Sequence, residues 1–389
     1  MLTTTAPTEP AVEVRPAPRP THLFQVDVVR LLTFSAVIAV HALAFTEQPG
    51  NRVAAGMMML LQYGREVFFT LTGFVLVYST WNKPLRLRSF WRKRMLFVAV
   101  PYLAWSVIYY LYAVFGPAHM PASFANAGWD LLYGSSEYHL YFLLVTLQLY
   151  LAYPLIAWFV RRTAGQAGRV LAAVSAVNLV WLGIVAYVPI PHGAAGWFWD
   201  HAYELLPSYA MYVLAGCYAA VHLDRIQRFV DTHGRRLLQL AGASAVVALV
   251  IYAAQLPFMA PRTANQVIQP GMLFSCVAAL LAVYVMGSRW AAGPRRRQGL
   301  IELLSDASFG VYLAHPLILQ LLVDYGGFGN QGQRMPPVVA TVVAYVVTAG
   351  GATLLSLSFR RTPLSLALSG RPWRADVKRH APRKALAPC

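Results

Sequence analysis

Apolar residues in this chain come in long runs, not in the alternating or one-face spacing of a half-buried element. Ten runs of roughly 17–28 residues stand out, near 23–46, 53–80, 95–116, 138–160, 170–190, 205–221, 237–258, 271–290, 309–327 and 336–359. Each is close to the ~20 residues that cross a bilayer as a helix. The expected fold is therefore all-α, a polytopic membrane helix bundle of about ten transmembrane helices. The loops between the runs are short, so no soluble domain is expected. Segment 1–22, with Pro7, Pro10, Pro16, Pro18 and Pro20, reads as a disordered Pro-rich lead without a cleavable signal. Residues 23–359 read as the transmembrane domain, and 360–389 as a basic tail, a disordered anchor against anionic lipid.

Basic residues give the runs a direction. With the N-terminus inside, the inside segments hold 26 of the 32 Lys and Arg, and the outside segments hold Arg52, Arg262 and Arg334. That bias fits the positive-inside rule with both termini in the cytoplasm. Charged residues make up 12% of the chain, about half the usual share of a soluble domain, which fits a large lipid-facing surface. The net charge of +17 is then topogenic, and no nucleic-acid partner is expected. Cys217, Cys276 and Cys389 form no CxxC-like pair, so neither a disulfide framework nor a metal site is expected. No Walker-type or GxGxxG loop suggests nucleotide hydrolysis or a bound dinucleotide. Trp129, Asp130, Glu137, Trp197, Trp199, Asp200 and His201 in the outside loops serve either as an interfacial belt or as the walls of a sugar-binding site.

Ionisable groups inside apolar runs are costly and mark candidate sites. The first run carries Asp27, Arg30 and His41. Eleven residues at 100° each bring Arg30 and His41 to nearly the same face, about 16 Å apart along the axis, with Asp27 about 40° off that line. A long phosphorylated ligand entering from the cytoplasm, such as coenzyme A, fits a cation at one end and an imidazole at the other. The competing reading pairs Arg30 with Asp27 at i,i+3 and gives His41 a hydrogen bond to another helix. Spacing alone leaves both open. The second run carries Arg65 and Glu66, which point about 100° apart and are expected to find partners elsewhere. A basic cluster follows, Lys83, Arg86, Arg88, Arg92, Lys93 and Arg94, topogenic in the first instance and also suited to gathering phosphates. His139 and His315 are further histidines within runs, read as structural or ligand-orienting.

The order of these motifs resembles the acyltransferase-3 family of bacterial integral-membrane acyltransferases. Asp27-Val-Val-Arg30, ten residues and then His41 is similar to that family's Arg-x10-His signature. Phe68-Phe-Thr-Leu-Thr-Gly73-Phe resembles its FF-x-x-SG-F segment, with Thr72 where Ser is commoner. Ser89-Phe-Trp-Arg-Lys-Arg94 leading to Pro101-Tyr102 is similar to its basic lead into the third span. Tyr138-His-Leu-Tyr141-Phe-Leu and Tyr312-Leu-Ala-His315-Pro316 resemble its H-L-W-F-L and Y-L-x-H-P segments. The resemblance covers residues 23 to about 316.

The resemblance implies a multi-pass enzyme of the bacterial cell membrane with no bound cofactor and acyl-CoA, expected to be acetyl-CoA, as co-substrate. Its reaction would be O-acetylation of a hydroxyl on an envelope polysaccharide, another extracytoplasmic glycan or a glycosylated metabolite. Arg30, Arg65, Arg92 and Arg94 are expected to bind the donor. His41 is expected to be the general base, supported by Asp27 or Glu66, because an imidazole exchanges a proton near neutral pH. His139, Tyr141, Tyr312 and His315 are expected to face the acceptor or to be structural. Some members carry a fused outer esterase-like domain; none is read here, so transfer is expected to finish in the membrane domain or with a separate partner. A transporter or flippase for a glycan or lipid-linked substrate is the alternative. A membrane-bound O-acyltransferase of the His/Asn type would make His315, not His41, the essential imidazole.

Overall fold

The computed structural model describes residues 22–189, 193–329 and 335–373, the side chains of 194, 195 and 198 excepted. The Pro-rich segment ahead of His22, and residues 374–389 of the tail, lie outside the described residues. Described in order are α1 (Phe24–Thr46), α2 (Arg52–Leu61), α3 (Gly64–Thr80), α4 (Leu87–Phe115), α5 (Phe124–Tyr133), α6 (Tyr141–Thr163), α7 (Ala167–Tyr187) and α8 (Ala194–Asp200). They continue as α9 (Ala210–Val221), α10 (Leu223–Gln255), α11 (Pro261–Ala264), α12 (Pro270–Ala292), α13 (Gln298–Gly326), α14 (Pro337–Phe359) and α15 (Ser365–Ser369). The described residues contain no strand. The chain is an all-helical membrane bundle.

Seven helical stretches are long and apolar enough to cross a membrane. One of them, Tyr141–Tyr187, runs for 47 residues, about 70 Å of helix against a hydrocarbon core of ~30 Å. It does not run straight. The backbone leaves helical geometry at Thr163 (φ −109°, ψ 9°), just before a 3-10 turn at Ala164–Gln166, and at Gln166 (φ −117°, ψ 21°), the last residue of that turn. Gln148 of α6 donates to Glu204 O at 2.8 Å and accepts from Leu206 N at 3.0 Å. Asn178 of α7 accepts from Met211 N at 3.1 Å. Since both helices reach the same short segment leading into and opening α9, α7 doubles back along the bundle. Leu151 and Leu155 on α6, Val246 and Val250 on α10, and Val342 and Val346 on α14 are exposed at i,i+4 spacing. A stripe of that kind on an outer helix suits lipid.

α1 lies at the centre, packed against α2, α3, α12, α13 and α14. Small residues allow the closest helix crossing, between α3 and α9. A Cβ on Gly216 would collide with the Thr70 carbonyl, and one on Gly73 with that of Val213. Close backbone approach of this type stands in for a hydrophobic driving force when lipid is the solvent. α12 and α14 each begin with a proline at their first position, where its missing N–H leaves no bond unmade.

Two departures from the sequence reading matter for the site. The apolar run 53–80 is broken: α2 ends at Leu61, and α3 starts again at Gly64, after Gln62 and Tyr63. The first turn of α3 fits tightly on α1, since a Cβ on Gly64 would meet Val37 Cγ2 at 2.5 Å. The tail also begins inside the fold and not as a free anchor. α15 packs against α4, α13 and α14, and Trp105 Nε1 donates to Leu368 O at 3.2 Å.

Candidate active site

Two cavities of about 480 Å³ each penetrate the bundle. His41 lines the first, with Gln62, Gly64 and Arg65 from the break between α2 and α3, and with Tyr138, His139 and Tyr141 at the start of α6. Irregular backbone at membrane depth is tolerated where it borders a cavity, and that is where this break lies. Arg30 lines the second cavity, with Lys93 and Arg94 from α4, Asp306 from α13 and Arg371 from the tail. Phe68, Phe142 and Tyr312 line both. One face of α1 thus supplies an imidazole to one cavity and a guanidinium to the other.

Pro316 explains how α13 shapes the histidine end. Proline has no N–H to return to the carbonyl four residues earlier, which leaves Tyr312 O free. His315 Nδ1 lies 2.7 Å from that oxygen and donates to it, so the other ring nitrogen, Nε2, carries the lone pair. Nε2 has no partner among the described residues. The hydroxyl of Tyr109 bridges the next gap, donating to Leu313 O at 2.8 Å and accepting from Leu317 N at 3.2 Å. Tyr312 Oη donates to His139 O at 2.5 Å, tying α13 to the start of α6. His315 is fully buried, with its ring centroid 5.4 Å from those of both His41 and His139. Tyr138 lies against His41, centroid to centroid 4.5 Å. Among the described residues, no group of three or more His, Cys, Asp or Glu is arranged to hold a metal ion.

The family model for the acyltransferase domain matches residues 23–357. The chain belongs to the acyltransferase-3 family. It is therefore a membrane protein of acyl-transferring enzymes, a class different from the glycan transporter that ten spans and buried charge would also fit. No curated protein and no solved structure matches it significantly.

The acidic residues expected to support His41 in this acyltransferase-3 chain lie elsewhere. Asp27 is fourteen residues from His41, about 21 Å along α1. Its carboxylate accepts from His22 Nε2 at 2.6 Å and from Ser305 Oγ at 2.7 Å. The i,i+3 pair with Arg30 is not made either, so the guanidinium is left to the cavity. Glu66 pairs with its own neighbour: Arg65 Nε and Nη2 lie 3.0 and 2.9 Å from Glu66 Oε1. That overturns the expectation that Arg65 and Glu66 are poor partners. Both sit in the first turn of α3, and their long side chains bridge the ~100° between neighbouring helical positions. Arg65 Nη1 also donates to Tyr141 Oη at 2.8 Å, and the guanidinium lies 5.2 Å from the Tyr209 ring centroid.

Of the two basic residues expected from α4, Arg94 lines the Arg30 cavity, whereas Arg92 is exposed and outside it. Lys93 takes the place foreseen for Arg92. Arg371 escaped the sequence reading because a basic tail hides a cavity-lining residue among anchors. Asp306 fixes it there by bonding both Arg371 and Arg360, the latter at 2.6 Å. Near the His41 cavity, Gln320 Nε2 donates to Glu137 Oε2 at 2.6 Å. Burial holds the Glu137 carboxyl above the usual carboxylate range, against the lowering effect of that bond and of the Tyr138 N–H.

Proposed function

We propose that this protein moves an acetyl group from cytoplasmic acetyl-CoA to a hydroxyl of an extracytoplasmic glycan or glycosylated metabolite, in the plasma membrane of a bacterium. The observation that carries the reading is the sharing of α1 between two cavities, cationic at Arg30 and imidazole-lined at His41. Coenzyme A has phosphates at one end and a thiol on a flexible arm at the other. Arg30, Lys93, Arg94 and Arg371 match the phosphates in charge, and charge-assisted bonds are the strong ones. The arm then spans the ~16 Å from Arg30 toward His41.

At the His41 end the acceptor hydroxyl gives its proton to the imidazole while its oxygen attacks the thioester carbonyl. Arg65, held by Glu66 and Tyr141, carries positive charge on the wall where the carbonyl oxygen becomes negative. The tetrahedral species collapses with loss of the coenzyme thiolate, which recovers the proton from His41. The product is an ester and free thiol. His315 replaces an acid as the neighbour of His41: its Nδ1–H is committed to Tyr312 O, so its Nε2 can accept an N–H from the His41 ring and hold that ring's tautomer.

The test is acceptor-dependent thiol release by purified protein given acetyl-CoA and a panel of hydroxyl-bearing glycans, with ester formation followed by mass. The expected result is release that requires both an acceptor and His41. A fully active His41→Ala protein, or His315→Ala activity loss with His41→Ala intact, contradicts the reading.

A further inference from the structure

Phe68, Phe142 and Tyr312 have no charge to recommend them, yet they are shared by both cavities. Their rings touch in a closed triangle, with centroids 5.9 Å apart for Phe68 and Phe142, 5.5 Å for Phe142 and Tyr312, and 6.4 Å for Phe68 and Tyr312. They come from three different helices, α3, α6 and α13. Tyr312 is tethered through its hydroxyl to His139 O. The two phenylalanines have no such tie, and both are partly exposed to the cavities. An aromatic ring offers a flat apolar face and no group that solvates a proton or an ion.

We propose that these three rings form an aromatic septum across a single passage, and that Phe68 and Phe142 position the donor thioester by parting around its arm. This rests on the reading of the protein as an acyl-CoA-dependent transferase. With no donor present the rings separate the cavities. With the arm threaded between them they hold the thioester carbonyl against the His41 wall and keep water from the Arg30 side away from it. The septum is therefore a specificity element: it admits a slender chain and favours a hydroxyl already seated in the His41 cavity over water. If the rings are cut back, water adds to the thioester carbonyl, the carbon–sulfur bond breaks, and the acyl group leaves as carboxylate with a proton while the coenzyme leaves as thiol.

The experiment has two arms. In the first, Phe68→Ala, Phe142→Ala and the milder Phe68→Leu and Phe142→Leu proteins are compared with the parent for thiol release from acetyl-CoA without acceptor. Loss of water exclusion should raise that release about tenfold or more in the alanine variants, with smaller rises for leucine. In the second, Thr72→Cys places a thiol on the Arg30 side of the septum, in a Cys389→Ser background. Sealed vesicles are treated from the His41 side with a small membrane-impermeant methanethiosulfonate. The thiol should be protected while the rings are intact, and labelled once Phe142→Ala or Phe68→Ala is added. Labelling of the buried Cys217 or Cys276 would mark an unfolded variant, and the leucine proteins then decide. Fast labelling with the rings intact, or no change in either arm on cutting them back, overturns the septum. A parent that turns over no acyl-CoA, but whose Thr72→Cys thiol is opened by Phe142→Ala, sinks the donor reading and leaves the barrier standing.

Discussion

The two cavities have the same volume, about 480 Å³, and opposite chemistry. In the His41 cavity the cation, Arg65, is paired with Glu66 and bonded to Tyr141, and the remaining polar wall is imidazole, phenol and amide. In the Arg30 cavity four cationic side chains meet the single carboxylate of Asp306, which is already bonded to Arg360 and Arg371. A surplus of positive charge recruits and holds an anionic ligand. An aromatic wall whose cation is already paired, with a free imidazole nitrogen, does little for affinity but can move a proton. On the proposed function the contrast separates holding from reacting, and α1 runs between the two cavities.

The comparison breaks first at His41. His41→Ala should lower kcat by ~10²–10⁴, the usual weight of a general base, with the KM for acetyl-CoA unchanged; steady-state kinetics on the purified protein checks both. A loss confined to KM would place His41 with the holding groups. The next effect distinguishes neighbours on α4. Arg94→Ala removes a cavity cation and should raise the donor KM about tenfold, as loss of a bond to a charged group does. Arg92→Ala removes an exposed one and should stay within about twofold. Equal effects would mean that the cluster acts as a diffuse field and not through the cavity.

A smaller effect concerns Glu137, beside the His41 cavity. Its folded pKa is raised by burial, so its stabilising share is fully present below the unfolded value of about 4.3 and declines as pH rises through the higher folded value. Glu137→Gln keeps an acceptor for Gln320 and removes the charge. The Tm of the variant should therefore gain on the parent as pH rises across that window, measured by thermal unfolding in detergent. A variant that instead loses ground to the parent as pH rises would contradict the assignment.

Much of this was legible in the chain because lipid imposes a simple rule. The apolar runs became mostly helix, since a backbone in hydrocarbon must satisfy itself, with seven stretches long and apolar enough to span, and the Arg30–His41 register followed from helical rotation alone. What stayed hidden has physical reasons. The break at Gln62–Tyr63 lies inside an apolar run with no proline to announce it. Phe68 and Phe142 were visible as members of two separate resembled segments, but their meeting with Tyr312 appears only where three helices converge. Asp27 resembled a partner for His41 by its angle on the helix wheel, whereas axial distance separates them and Ser305 and His22 occupy it. Arg371 belonged to a tail whose composition says anchor, though α15 folds it back onto the bundle.

The central claim is that Arg30 holds the donor while His41 serves as base for the acceptor hydroxyl. It is tested most directly by titrating coenzyme A into purified protein by calorimetry, which requires no knowledge of the acceptor. Arg30→Ala should weaken binding by about tenfold or more, the loss expected for a charge-assisted contact, while His41→Ala binds as the parent does. Unchanged affinity in Arg30→Ala, or an equal loss in both variants, would contradict the account.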